Sequence, residues 1–255
     1  MAEIRNFKAD ELTVRVFDNR ANMGIAAAEQ ATGWIKEVLC EKDEVNIIFA
    51  AAPSQNDFLK ELSKANVDWS RVNAFHMDEY IGLSEDAPQG FANFLRRAIF
   101  DLVPFKNVFC FNGQNESPEA ECKRYADLLH KYPADIIFMG IGENGHIAFN
   151  DPGVAKFDDP ETVKIAKLDE VCRNQQVNDG CFASIDLVPT HAYTLTVPIM
   201  MAAPKMMLVV PTALKAKAIH DTVLGTVTEM VPASVVRTHK GGAVLYTDEA
   251  GAKLI

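Results

Sequence analysis

Short apolar runs alternate with longer stretches of helical spacing along this chain, and the alternation constrains the fold more than any other feature. The helical stretches cover residues 22–40, 54–65, 91–102, 118–131 and 213–224. Several of the apolar runs, such as IIFMGI and MMLVV, contain no alternating polar residues, as expected of strands covered on both faces. Strands separated by helices predict an α/β fold with a mainly parallel central sheet. The predicted strands lie at residues 45–50, 72–75, 108–111, 136–141, 193–197, 206–210 and 243–246.

No repeat, low-complexity tract or Pro/Gly-rich linker divides the 255 residues, so we predict a single domain over residues 1–255. The least regular segment is 153–186, which is rich in polar residues. It is either a mobile cover over a functional site or an ordinary surface loop between two strands, and the sequence leaves both interpretations open.

The acidic composition restricts the partners of the chain. A net charge of −10 and a pI near 5.1 oppose attraction to nucleic acid or anionic lipid, because those partners carry the same sign of charge. The first residues are charged, and no apolar run approaches the roughly 18 residues of a membrane span. We therefore expect a cytoplasmic protein with no nucleic-acid or membrane partner. Self-association into a homo-oligomer is compatible with this composition.

The cysteines and histidines show no metal-binding or disulfide pattern. The five cysteines are odd in number, widely spaced and free of any CxxC pair. The histidines lack ligand spacings such as HExxH. We predict reduced thiols, no metal ion and no cofactor.

Polar residues that directly follow a buried parallel strand are the first candidates for a site, because ligands bind at the carboxyl ends of such strands. Asp78 and Glu79 follow the strand predicted at 72–75. Adjacent residues in an extended segment point in opposite directions, so at most one of the two faces a cleft. The alternative is that both are solvated or that one caps the next helix.

A second polar segment, GIGENGHIAFNDP, covers residues 140–152. Its glycines read G-x-G-x-x-G, but no helix follows them, so a dinucleotide site is not indicated. We expect Gly142 and Gly145 to let the backbone approach a small ligand beside His146. His146 and Asp151 have the residue types needed for proton transfer. A buried histidine satisfied by a backbone carbonyl is the alternative.

A third candidate follows the strand predicted at 206–210. The sequence PTALKAK opens a helix and sets Thr212 and Lys215 near its positively polarised end, which suits a phosphate group. A lysine on a solvated helix face is the alternative.

Taken together, these segments resemble the glucosamine-6-phosphate deaminase (glucosamine/galactosamine-6-phosphate isomerase) family. The resemblance follows nearly the whole chain in order and implies a Rossmann-like three-layer α/β/α fold. It also implies a small-molecule sugar phosphate as substrate, converted from an amino sugar 6-phosphate to a ketose phosphate with loss of ammonia. The motifs that carry it are FHMDEYIGL, FNG at 111–113, ECKRYADLL, FMGIGENGHIAFNDPG, YTLTVPIM and PAS at 232–234.

The resemblance assigns roles to individual residues. Asp78 is the expected base that moves a proton between C2 and C1, with Glu79 beside it at the substrate. His146 is expected to assist ring opening, and Asp151 and Asn144 occupy the places of its partners. Lys215 matches the phosphate-binding lysine.

The departures from the family pattern concern the substrate phosphate. The loop after the strand at 45–50 reads AAPSQNDF and contains no glycine, so Ser54, Gln55 and Asn56 are the candidate hydrogen-bond donors there. Gln176 stands where the family has a phosphate-binding arginine, and Arg173 is the nearest substitute. A 6-phosphogluconolactonase-like hydrolase and a non-catalytic sugar-phosphate-binding protein remain as alternative functions.

Overall fold

The computed structural model describes residues 2–168, 170–178 and 180–255. A sheet of parallel strands forms its centre, in the order β1-β2-β11-β10-β7-β3-β4-β6, and the β1 edge is closed by an antiparallel pairing with β2. The strands of this sheet are β1 Glu3–Ala9, β2 Leu12–Phe17, β3 Val45–Phe49, β4 Val72–His76, β6 Asn107–Phe109, β7 Ile136–Met139, β10 Lys205–Val209 and β11 Ala243–Asp248. The predicted α/β fold with a mainly parallel sheet is confirmed.

The central strands are buried on both faces, which explains their unbroken apolar sequences. Alternate side chains of one strand enter different clusters: Ile47 packs on one face of the sheet and Ile48 on the other. Helices α1, α2 and α3 cover the first face, and α4 and α7 cover the second, which gives three layers. The helices are α1 Arg20–Glu41, α2 Asn56–Leu62, α3 Phe91–Leu95, α4 Pro118–Lys131, α5 Glu170–Asn178, α6 Val197–Met201 and α7 Ala216–Leu224.

Local sequence signals explain where several helices begin. The side chain of Asn19 accepts a hydrogen bond of 2.9 Å from the backbone N–H of Asn22 and so caps α1. Pro118 occupies the first turn of α4, where its missing N–H costs nothing. The helix predicted at 54–65 starts as a 3-10 turn, Pro53–Gln55, before it continues as α2. The helix predicted at 213–224 likewise starts as the 3-10 turn Ala213–Lys215 before α7.

The strand predicted at 193–197 was assigned to the wrong sheet. It forms β9 His191–Leu195, the middle strand of a separate antiparallel sheet with β5 Asp78–Tyr80 and β8 Val163–Lys167. An apolar run identifies a buried strand but not its pairing partner, and β9 is buried because this small sheet packs on the main body. The segment 153–186 is more regular than expected, since it contributes β8 and α5; Asp169 and Asp179 lie outside the described residues.

No helix among the described residues is long and apolar enough to cross a membrane.

Candidate functional site

A cavity of about 580 Å³ opens where four parallel strands end at the same edge of the sheet. The strands β10, β7, β3 and β4 are neighbours in that order, so the loops that follow them converge. Among the described residues that line the cavity, Asp78 is the single acidic side chain, whereas Arg20, Arg97 and Lys215 are basic. The cavity therefore carries local positive charge in a chain whose net charge is −10.

Asp78 lies just past the end of β4, at the start of β5, and its carboxyl group faces the cavity. Burial raises the pKa of Asp78 well above its usual range, and the neighbouring charge of Glu79 raises it further. A carboxylate with a raised pKa is a stronger base than an exposed one, which suits the removal of a proton from carbon.

Glu79 does not line the cavity, in contrast to its expected place at the substrate. Its carboxylate accepts hydrogen bonds from the backbone N–H groups of Tyr80, Phe91 and Ala92 at 2.9, 3.0 and 2.8 Å. It therefore fixes the start of α3 to β5. The expectation that at most one of the two acids faces the cleft agrees with this geometry, since Asp78 lines the cavity and Glu79 does not.

Hydrogen bonds to Asn144 and Asp151 position the imidazole ring of His146 on its Nδ1 side. Its Nδ1 is 2.8 Å from Asn144 Oδ1 and 3.1 Å from Asp151 Oδ1, and Asn144 Nδ2 donates to Asp151 at 2.8 Å. Both oxygens facing Nδ1 are acceptors, so Nδ1 carries the proton and Nε2 is free to accept one. Burial alone would raise the pKa of Asp151, but hydrogen bonds from His146, Asn144 and Cys172 outweigh it and lower the pKa.

Gly142 is the residue on which the imidazole ring of His146 lies. A Cβ atom placed on Gly142 would be 2.1 Å from His146 Cε1 and 2.2 Å from Nε2, closer than atoms can approach. Gly145 has a φ of 85°, a left-handed conformation that turns the chain back toward His146. Gly142 lines the cavity and Gly145 does not.

A second group of cavity residues, which we call the anion end, comes from the loop after β3 and the turn after β10. Ser54 and Lys215 line it, as predicted for the phosphate. Gln55 is fully buried, and its Nε2 donates to the backbone oxygen of Val209 at 3.0 Å, so it joins two strand ends. Asn56 begins α2 at an exposed position outside the cavity lining.

Arg173 is not at the cavity. Its guanidinium donates to the backbone oxygens of Ile185 and Val188, at 2.6 and 2.8 Å, and so joins α5 to the turn that follows it. Gln176, one turn further along α5, does line the cavity. The segment 153–186 therefore contributes to the wall of the site.

His76, which shares a strand with the residues leading to Asp78, has a structural role. Its Nε2 accepts a hydrogen bond of 2.9 Å from the backbone N–H of Phe111. Burial lowers the pKa of His76 to about 3, so the ring stays neutral.

Arg20 is a cavity residue that was not predicted from the sequence, and the backbone conformation of Thr212, which was expected beside Lys215, was not predicted either. Arg20, in the first turn of α1, reaches the loop after β3, where its guanidinium bonds Asp57 and the backbone oxygen of Pro53. Thr212 lines the cavity with φ 85° and ψ 150°, a conformation that only glycine adopts easily. Arg20 carried no local signal, because it lies far from the loop in sequence. The turn conformation at Thr212 is likewise invisible in a sequence that has no glycine there.

Known proteins resemble this chain in sequence and in fold. The sequence pattern of the family described as glucosamine-6-phosphate isomerases/6-phosphogluconolactonase matches residues 18–246. A protein of Lactobacillus delbrueckii subsp. bulgaricus named glucosamine-6-phosphate deaminase is 37% identical over 206 residues, which cover 81% of this chain and 86% of the relative. A protein of the same name from Bacillus thuringiensis is 35% identical over 223 residues, covering 88% of this chain and 83% of the relative.

Solved structures agree with the observed fold. A monomeric glucosamine-6-phosphate deaminase superposes with a TM-score of 0.85 and 27% identity, covering 95% of this chain and 99% of the other. A 6-phosphogluconolactonase from Thermotoga maritima superposes with a TM-score of 0.75 and 17% identity, covering 93% and 99%. The likeness to the lactonase concerns the fold alone.

Proposed function

Because this chain belongs to the family of glucosamine-6-phosphate isomerases and 6-phosphogluconolactonases, we propose that it converts an amino sugar 6-phosphate, glucosamine 6-phosphate first, to a ketose 6-phosphate and ammonia. The observation that carries the proposal is the shared cavity. Asp78 and His146 reach it from two different strand ends, and Ser54 and Lys215 reach it from two others. Curated relatives named glucosamine-6-phosphate deaminase support this substrate over a lactone.

The anion end of the cavity orients the substrate. Ser54 offers a hydroxyl, and Lys215 and Arg20 offer positive charge that complements a phosphate. Arg20 comes from α1 and compensates for the arginine that Gln176 replaces. Its Nη1 has no hydrogen-bond partner within the described part of the chain, since Nε bonds Asp57 and Nη2 bonds Pro53.

Ring opening comes first, because a proton on C2 becomes acidic only when C1 is a carbonyl group. His146 Nε2 accepts the proton of the anomeric hydroxyl, the bond between C1 and the ring oxygen breaks, and the imidazolium returns the proton to that ring oxygen. Asp151 and Asn144 keep the positive imidazolium oriented during this step. The product is an open-chain aldehyde with an amino group at C2.

Asp78 then transfers a proton between carbons. Its carboxylate removes the proton on C2, and the resulting enolamine is protonated on C1, which leaves an imine at C2. Water adds to C2, the carbon–nitrogen bond breaks and ammonia leaves. The overall reaction consumes one water molecule and needs neither a metal ion nor a redox cofactor. Within this proposal the enzyme acts in the cytoplasm.

The test is direct assay of purified full-length protein with glucosamine 6-phosphate and galactosamine 6-phosphate. We expect ammonia and ketose phosphate in equal amounts from at least one of them, and loss of both products in Asp78→Asn. The protein should not accelerate the hydrolysis of 6-phosphogluconolactone above its spontaneous rate. Lactone hydrolysis without ammonia release would contradict the proposal.

A further inference from the structure

Three side chains able to bind a metal ion meet behind the imidazole ring of His146. They are His146, Asp151 and Cys172, and their ligand atoms all lie within 4.8 Å of one another. We propose that these residues form a binding site for a thiophilic divalent cation, best fitted by Zn²⁺, and that its occupation inhibits the enzyme. Cation binding does not depend on the proposed function. The proposed inhibition does, because it rests on the role of His146 in deamination.

The separation of two of the ligand atoms already fits a zinc site, and the third has to close in on binding. His146 Nδ1 and Asp151 Oδ1 are 3.1 Å apart. With metal–ligand bonds of about 2.0 to 2.1 Å, this separation corresponds to an angle of about 100° at the metal, near the tetrahedral value. Cys172 donates its thiol proton to the carboxyl group of Asp151, so its sulfur is on the same side of the network. Asn144 Oδ1, 2.8 Å from Nδ1, is a further oxygen donor beside the cluster.

The types of ligand decide which cation fits. One imidazole nitrogen, one carboxylate oxygen and one sulfur suit Zn²⁺, whereas Mg²⁺ and Ca²⁺ prefer oxygen ligands alone. The charges also balance, because a carboxylate and a thiolate together neutralise the two charges of the cation. Neutrality is important here, since Cys172 and Asp151 are 1% and 2% exposed and an uncompensated buried charge is costly.

Binding would change the protonation of His146. The cation takes the lone pair of Nδ1, so the imidazole proton moves to Nε2, and the thiol of Cys172 releases its proton to solvent. Asp151 exchanges its hydrogen bond for a metal bond, and no group is oxidised or reduced. Nε2 then faces the cavity as a donor and cannot accept the proton of a substrate hydroxyl. The cation would therefore inhibit ring opening.

Cobalt titration of the reduced, chelator-treated full-length protein tests the site without using activity. A bound Co²⁺–thiolate pair gives charge-transfer absorption in the near ultraviolet, and we expect it to saturate at one equivalent and to be displaced by Zn²⁺. Cys172→Ser should lose this band and weaken Zn²⁺ binding by more than the roughly 10- to 100-fold typical of removing an outer-shell partner. Far-ultraviolet circular dichroism checks that the variant is folded, and Cys172→Ala repeats the test.

Cys181 provides the matched control, because it is a thiol that lines the cavity in front of His146 but lies outside the cluster behind it. Cys181→Ser should keep the band and the stoichiometry. A band that persists in Cys172→Ser, disappears in Cys181→Ser or is absent from the wild type would overturn the site.

Zn²⁺ should also inhibit deamination by the wild type at the concentration that displaces Co²⁺. A site that fills without inhibition would overturn the second half of the proposal. A protein with no deaminase activity even without metal would instead contradict the proposed function, while the cobalt band still decides the site.

Discussion

The two ends of the cavity are constructed in different ways. At the proton-transfer end, His146 is held by Asn144 and Asp151, both close to it in sequence, through hydrogen bonds among partly buried groups. At the anion end, Ser54, Lys215 and Arg20 come from three distant segments, and Arg20 is held there by Asp57 and by the backbone oxygen of Pro53. The first arrangement holds one imidazole ring through a connected hydrogen-bond network, and the second brings basic and hydroxyl groups together. The comparison suggests that the chemistry of this fold is less easily changed than its substrate.

The most severe test concerns the base. Asp78→Asn keeps the shape of the side chain but removes its ability to accept a proton, so we expect kcat to fall by about 10²- to 10⁴-fold. KM should change little, because the anion end is untouched. Glu79→Gln, one residue further along, serves as the control. It should lower stability through weaker bonds to Phe91 and Ala92 while retaining most of the turnover. Equal losses of turnover in the two variants would assign the proton transfer elsewhere.

Displacing the imidazole without changing it tests the rigidity of the same end. In Gly142→Ala the new methyl group would overlap His146, so the ring must move. A shift of about 1 Å can cost roughly 10²-fold in rate, and we expect kcat to fall by about that factor. A crystal structure of the variant would show the displacement. Normal turnover with a displaced ring would argue against a role for His146.

The anion end should respond through KM instead. Arg20→Gln removes a charge-assisted contact worth about 1.5 to 3 kcal/mol, so we expect KM to rise by roughly 10- to 100-fold with a small effect on kcat. Asp57→Asn is the matched control, because it breaks the same ion pair but leaves the guanidinium in place. Its KM should stay near that of the wild type. A similar rise in both variants would mean that Arg20 acts through the loop rather than on the substrate.

The pH dependence is the smallest expected effect, and it reports on the proton-transfer end through Asp78. Proton abstraction needs Asp78 ionised, and burial raises its pKa. Turnover should therefore rise with pH by at most about tenfold per unit, up to a pH well above the normal titration range of aspartate. For stability the sign is opposite: a raised pKa contributes stability below the unfolded-state value, and this contribution is lost as pH rises through the folded-state value. Asp78→Asn should thus gain stability relative to the wild type as pH rises, which chemical denaturation at several pH values would measure.

Features that are contiguous in sequence could be predicted, whereas features that depend on tertiary packing could not. The strands at β3, β4, β7 and β10 and the polar residues that follow them were predictable, because a buried parallel strand and the residues after it are contiguous in sequence. The position of Arg20 was not, since it depends on the packing of α1 beside the loop after β3. Arg173 was chosen by sequence proximity, whereas the structure turns its guanidinium toward Val188. The pairing of β9 in a second sheet was also hidden, because periodicity does not identify a partner strand.

The positive φ of Thr212 affects both the strain of the folded turn and the conformational entropy of the unfolded chain. A threonine held at φ 85° costs about 1 to 3 kcal/mol of strain in the folded chain, and the carboxylate of Asp248, which accepts the N–H of Thr212 at 2.9 Å, helps to hold it there. A glycine would remove the strain but would give the unfolded chain more freedom and the folded turn more room to open. The threonine therefore lowers folding stability but keeps the turn stiff, so that Lys215, three residues later, is held in the cavity lining.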